Sequence, residues 1–156
     1  MQLFLMRHGE ASFDALSDRE RVLTDLGRYQ TRQMANWLTG RVAAFDLVLV
    51  SPYLRAQQSW QEAASQFPQP RKLMMLDELV PNADPAKAAS LIQAYAMHCK
   101  ADKVLVVSHM PLLGYLVSDI VRGIEPPLFA TSAISMIDVH GERASLGWLE
   151  APHTIG

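Results

Sequence analysis

The sequence predicts an α/β fold: a three-layer sandwich around one mostly parallel sheet. Four short apolar runs carry the first part of this reading: "LFLM" (3–6), "LVLV" (47–50), "LMML" (73–76) and "VLVV" (104–107). Each is strand-length and lacks polar alternation, as expected for strands covered on both faces. Each is followed by a segment with helical signals, and a repeated strand–helix alternation favours parallel strands joined by crossover helices. After "GIEPPLF" the pattern changes. Residues 132–139 and 144–149 read as a hairpin about "HGER", so at least one late strand is antiparallel.

The elements follow in order. The segment from Glu10 to Leu23 is polar and reads as a surface loop. Thr24 is a helix N-cap ahead of Leu26, Tyr29, Met34, Trp37 and Leu38, with Gly40 as the stop. Ser51–Pro52 reads as a cap followed by proline at the first helical position, opening a helix that ends near Phe67, before Pro68. Asp84–Pro85 repeats the device for a helix through Leu91, Ile92 and Tyr95. Pro111 opens a fourth helix, whose Leu112, Leu113, Leu116, Val117, Ile120 and Val121 form a helical apolar stripe. Trp37, Trp60 and Trp148 read as packing residues, and His98, His140 and His153 as surface residues.

At 156 residues the expectation is a single domain, residues 1–156, large enough to bury a core without staples. A formal net charge of −2 gives no footprint for nucleic acid. Anion binding must therefore come from a few local cations. The single cysteine, Cys99, permits no internal disulfide and fits a reducing cytoplasm. The first apolar run is too short for a signal-peptide core, and no run approaches a membrane span. The expectation is a soluble, unprocessed monomer.

In open α/β sheets ligands bind beyond the carboxyl ends of the strands. The four runs end there on Arg7 and His8; on Ser51, with Arg55 one helical turn later; on Asp77 and Glu78; and on Ser108 and His109. Two arginines, two histidines and a carboxylate thus converge on one sheet edge. Arginine forks onto phosphate oxygens. An unprotonated histidine nitrogen attacks phosphorus when the other nitrogen is held protonated by a carbonyl. A second, protonated histidine adds a cationic donor for the transferring phosphoryl group, and Glu78 would supply the leaving group's proton. No metal or other cofactor is needed, and two arginines beside His8 and His109 disfavour a cation there. Taken alone, His8 would read equally well as a satisfied buried histidine, and Arg7 as a strand-end residue reaching solvent. The convergence favours a site. Ser51 reads as a helix cap, and Ser108 as structural.

"LMRHGE", "LTDLG", "VSPYLRAQQS" and "VVSHMPLLGYL" together resemble the histidine phosphatase (phosphoglycerate mutase-like) superfamily. The short chain, "RHGEA" and "PPLFATSAI" are similar to its small branch, the SixA-type phosphohistidine phosphatases. The resemblance runs nearly the whole chain, up to Leu149. It implies that His8 is the nucleophile that becomes phosphorylated, and that Arg7, Arg55 and His109 form the phosphate pocket. Arg21 matches a position that often carries arginine in the small branch. Larger members place an acidic residue in an insertion after the second strand and helix; here only residues 56–72 separate Arg55 from "LMML", so no cap domain is expected. The general acid stays open between Glu78, Asp18 and none. An uncapped pocket and the good leaving group of a protonated phosphohistidine favour a phosphoprotein substrate. The resemblance implies two-component signalling, with a histidine phosphotransfer domain as the partner class. Two alternatives remain: a phosphatase of small phosphate esters or sugar phosphates using the same nucleophile, and a non-catalytic phosphohistidine-binding module.

Overall fold

The apolar runs form strands because their residues bury on both sides of one sheet. A computed structural model describes residues 1–156. Its elements are β1 (Gln2–Arg7), α1 (Asp25–Leu38), β2 (Leu47–Val50), α2 (Leu54–Ala64), β3 (Lys72–Met75), α3 (Pro85–His98), β4 (Lys103–Ser108), α4 (Leu112–Ile120), β5 (Ile134–His140) and β6 (Arg143–Glu150). Single 3-10 turns lie at Asp18–Glu20 and Asp77–Leu79. The six strands form one sheet in the order β3-β2-β4-β1-β5-β6. The first four strands pair in parallel, and the late hairpin joins antiparallel through β5 against β1.

Strand side chains alternate between faces, so each apolar run feeds two cores. Leu3, Leu5, Leu47, Leu49, Val104 and Val106 pack with α3 and α4 on one side. Phe4, Met6, Val48, Val50, Leu105 and Val107 pack with α1 and α2 on the other. Full burial of one such side chain contributes about 1.5–3 kcal/mol. This is the three-layer arrangement the sequence predicts. Trp37 and Trp148 meet edge-to-face at 5.1 Å, and Trp60 is buried in the same core. No helix is long and apolar enough to cross a membrane.

Local chemistry sets the helix starts. The Thr24 hydroxyl accepts the Gly27 N–H, and the Asp84 carboxylate accepts the Ala86 N–H ahead of Pro85. Two sequence expectations are corrected. The third run is not covered on both faces: β3 is the outer edge strand, where only β2 pairs with it, and Leu73 and Met75 are half exposed. Its apolar composition resembles that of a central strand, and composition alone does not reveal position in the sheet. The second helix starts at Leu54 with Tyr53 as its cap residue, not at Ser51–Pro52. The Ser51 hydroxyl still accepts the Tyr53 N–H, at 3.2 Å, but its stronger contact lies in the site.

The register decides what the sheet edge presents. Arg7 pairs with Ser108, and Val50 with Val107. The ladders continue one step further: His8 N–H donates to the Ser108 carbonyl at 3.1 Å and Ser51 N–H to the Val107 carbonyl at 3.0 Å. His8, Ser51 and His109 therefore leave the sheet side by side. Close packing of α1 fixes the next step of the chain. A Cβ on Gly9 would lie 2.7 Å from both the Gly27 carbonyl oxygen and Thr31 Oγ1, and one on Gly27 would collide with the Glu10 backbone. These two glycines let the start of α1 lie directly on the loop after His8.

Candidate active site

His8 sits one residue beyond β1 and is only 5% exposed. Its backbone is held on both sides, by the Ser108 carbonyl and by the Ser132 N–H, which donates to the His8 carbonyl at 3.0 Å. Ser132 takes a positive φ of 65° to do so and is fully buried, braced by a 3.1 Å bond between its hydroxyl and that of Thr31. The His8 ring has one orientation that satisfies its neighbours. Nδ1 lies 2.7 Å from the Gly9 carbonyl oxygen. A carbonyl only accepts, so Nδ1 carries the proton and Nε2 carries the lone pair. Arg55 Nε donates to that lone pair at 3.2 Å. Burial lowers the His8 pKa to about 3; the Gly9 bond works against this, and the charges of Arg55, Arg7 and Arg21 add to it. A neutral imidazole with a directed Nε2 lone pair is the state a histidine nucleophile requires.

Arg55 is 4% exposed and projects from the first turn of α2. Nη1 donates to the Asp18 carbonyl at 2.6 Å and Nη2 to Asp18 Oδ2 at 3.2 Å. Its own carbonyl accepts the Ser59 hydroxyl at 2.7 Å, and Ser59 Oγ accepts the Gly9 N–H at 2.9 Å. Ser59 thus ties the turn carrying Arg55 to the loop carrying His8. Arg7 closes the other side, with Nη1 on the Phe129 carbonyl at 2.7 Å and its buried Nε without a partner. Burial lowers the pKa of both arginines, but a guanidinium remains charged.

His109 is fully buried. Its ring centroid is 5.1 Å from that of His8 and 5.1 Å from that of Tyr53. Nε2 lies 2.7 Å from Ser51 Oγ, and Nδ1 is buried without a partner. Burial, then His8 and the arginines, push its pKa far below the ordinary histidine range. The expected protonated second histidine is thus neutral when no anion is present.

The remaining sequence candidates occupy distinct places. All three guanidinium nitrogens of Arg21 are engaged, with the Ser12 and Ala11 carbonyls and with Asp18 Oδ1, and the group lies 4.0 Å over the Phe13 ring. Arg21 organises the loop before α1 and adds its charge to both histidines. Partial burial alone would raise the Asp18 pKa; the bonds to Arg21 and Arg55 outweigh it and hold the carboxyl below the usual range. Glu78 is half-buried on the Asp77–Leu79 turn and makes no side-chain hydrogen bond or ion pair with the site. That turn is anchored beside the site, because Ser108 Oγ donates to the Leu79 carbonyl at 2.7 Å. Sequence reasoning missed Ser59, Thr31, Ser132 and the contact of Ser51 with His109. Only Ser59 had a visible cue, one helical turn after Arg55 on the same face.

A cleft of about 480 Å³ lies beside the β5–β6 turn, far from this chemistry, and is lined by Arg122 and Arg143 against Asp138 and Glu142. Its balanced charges give it no preference for an anion.

Comparison with known proteins places the whole chain in one family. The profile of the histidine phosphatase superfamily (branch 1) matches residues 3–79. The chain is 41% identical over 153 residues to the phosphohistidine phosphatase SixA of Escherichia coli, covering 97% of this chain and 94% of that protein. The chain belongs to the histidine phosphatase superfamily. Within it, the phosphohistidine phosphatase SixA homolog of Haemophilus influenzae is 30% identical, with 94% of this chain and 93% of that protein covered. The structure of the protein histidine phosphatase SixA complexed with tungstate superposes with a TM-score of 0.94 at 39% identity, over 100% of both chains. The full-length match includes the residues after Leu149. Membership of the superfamily accounts for the mixed sheet with antiparallel late strands, and the motifs "RHGEA" and "VSPYLRAQQS" are the segments that build the site.

Proposed function

We propose that this protein is a phosphatase that hydrolyses phosphohistidine on proteins, without a metal, through a covalent phosphohistidine intermediate on His8. The observation that carries this reading is the buried His8 ring, protonated at Nδ1 by its bond to Gly9 and presenting the Nε2 lone pair toward Arg55. In the first step Nε2 attacks phosphorus and the bond from phosphorus to the substrate imidazole nitrogen breaks. The leaving imidazole departs with a proton. In the second step water attacks the phosphorus on His8, inorganic phosphate leaves, and the lone pair returns to Nε2. Arg7 and Arg55 neutralise the phosphoryl oxygens, His109 donates a hydrogen bond to them, and Arg21 adds its charge from the loop. This dense positive field stands in place of a metal.

Asp18 is held ionised by two arginines and is a poor proton donor as it stands. Glu78 is the better candidate for general acid, and a leaving imidazole that is already protonated places little demand on it. Similarity to the SixA proteins supports phosphohistidine as the substrate class, and the SixA protein solved in complex with tungstate supports a fold that takes up a phosphate-like oxyanion. The partner is a phosphorylated protein of the histidine phosphotransfer class, met by a monomeric, single-domain enzyme in the cytoplasm.

The test is phosphate release from a phosphohistidine-bearing protein domain in EDTA, with wild type and His8→Ala, alongside a panel of small phosphate esters. Release by wild type, its loss in His8→Ala, and radiolabel retained on wild type alone are expected. Equal release by both proteins would remove His8 from the mechanism. Higher kcat/KM on the esters would move the substrate assignment to small molecules. Tight binding without release would leave a binding module.

A further inference from the structure

The site contains a buried hydroxyl that the mechanism above does not use. Ser51 is fully buried, yet its side chain does not cap the helix that follows. Ser51 Oγ accepts the Tyr53 N–H at 3.2 Å and lies 2.7 Å from His109 Nε2. A serine hydroxyl has one proton to donate, and a buried donor left without an acceptor is costly. His109 Nε2 is the one acceptor the hydroxyl meets. Were Nε2 protonated instead, both Ser51 neighbours would be donors and the hydroxyl proton would have no acceptor. Satisfying the Ser51 hydroxyl therefore places the lone pair of His109 on Nε2 and its proton on Nδ1, and leaves that buried Nδ1–H awaiting an acceptor from a bound ligand. Nδ1 is the atom that has no partner within the protein. With Nε2 engaged by Ser51, any bond from this ring to a phosphoryl oxygen comes from Nδ1.

We infer that Ser51 is a positioning residue that fixes the tautomer of His109, so that a neutral His109 presents Nδ1–H as a ready donor to the transferring phosphoryl group. The inference rests on the reading of this site as a phosphoryl-transfer site. The two histidines then share a design: each is locked as the Nδ1–H tautomer by a fixed neighbour, His8 by the Gly9 carbonyl and His109 by the Ser51 hydroxyl. The outcome is opposite in use. His8 offers a lone pair that attacks phosphorus, and His109 offers its buried Nδ1–H to the oxygens.

The tautomer is read directly by ¹⁵N–¹H correlation spectra of the histidine side chains in the resting wild-type enzyme near neutral pH. His109 protonated at Nδ1 is expected, and Ser51→Ala is expected to move its signals toward the Nε2–H form. Ser51→Ala should lower kcat on a phosphohistidine protein about ten- to a hundredfold with KM changed much less, a smaller loss than the about hundred- to thousandfold cost of deleting an oxyanion donor outright. Ser51→Thr, which keeps the hydroxyl, should restore the tautomer and most of kcat. A wild-type spectrum with His109 protonated at Nε2 would overturn the inference, and this measurement does not depend on how well the variants fold. An unchanged tautomer and kcat in folded Ser51→Ala would overturn it as well. Should wild type release no phosphate from phosphohistidine, the functional reading fails on that result, while the spectra still decide the tautomer.

Discussion

Replacing Ser59 by Ala tests whether the site is pre-organised by the bond that links its two halves. Ser59 is fully buried and its hydroxyl does two things: it accepts the Gly9 N–H at 2.9 Å and donates to the Arg55 carbonyl at 2.7 Å. The second bond is dispensable, because that carbonyl keeps its place in the α2 ladder. The first is not. The Gly9 N–H is buried on the Ser59 hydroxyl and has no other acceptor. An unsatisfied buried N–H costs about 1–3 kcal/mol, and loss of one small polar side chain adds little cavity cost. Ser59→Ala should therefore lower unfolding stability by about 2 kcal/mol, seen as a shift of the urea midpoint with an unchanged slope. Because Gly9 also holds Nδ1 of His8, the same variant should lower kcat more than it raises KM. A midpoint within the error of wild type would mean that Gly9 N–H finds another acceptor, and the picture of Ser59 as a clamp between Arg55 and His8 would have to be given up.

Two further outcomes follow from the charges. Burial depresses the His8 pKa to about 3 and displaces that of His109 in the same direction, so between the unfolded value of about 6.5 and the folded values the unfolded chain binds more protons. Stability should then fall as pH drops through that window, by up to about 1.4 kcal/mol per pH unit for each histidine, and His8→Ala should reduce the slope of stability against pH by about one proton in urea titrations between pH 6 and 4.5. Asp18→Asn removes a carboxylate that competes with phosphate for Arg55; since that aspartate is more than half exposed, the gain is about 1 kcal/mol at most, read as tighter competitive inhibition by vanadate at unchanged fold. A fall in kcat of about a hundredfold or more in Asp18→Asn would instead make Asp18 the general acid, within the range expected for losing such a group.

The parts of the fold that show in the sequence are those set by local chemistry. Apolar runs such as "VLVV" bury on both sides, and Thr24 and Asp84 announce their helices by capping them. The site residues at strand ends were legible for a related reason: a buried strand that runs straight into a charged pair such as Arg7–His8 delivers that pair to the sheet edge, where ligands bind. What was not legible depends on which strand lies beside which. "LMML" has the composition of a central strand and lies at the edge. Ser51 has the sequence context of a helix cap and instead faces His109, because β2 and β4 are neighbours in register. Ser132 and Thr31 are 101 residues apart and meet only once α1 has been laid over the His8 loop.

The electrostatics of the site resolve an apparent conflict in the chemistry. A phosphoryl-transfer pocket needs positive charge, yet a histidine nucleophile needs to be neutral. Arg7, Arg55 and Arg21 supply charge that does not titrate, and that same field, added to burial, keeps both histidines deprotonated. On the proposed function, the nucleophile is thus made ready by the groups that would bind its target. Before substrate arrives, Arg55 is satisfied by the Asp18 carbonyl and carboxylate and donates Nε to the His8 lone pair. An arriving phosphoryl group offers Arg55 better acceptors than the exposed Asp18 carboxylate. On the proposed function, taking them would draw the guanidinium away from Nε2 and free the lone pair as phosphorus comes within reach. Substrate binding and activation of His8 would then be one event, centred on Arg55.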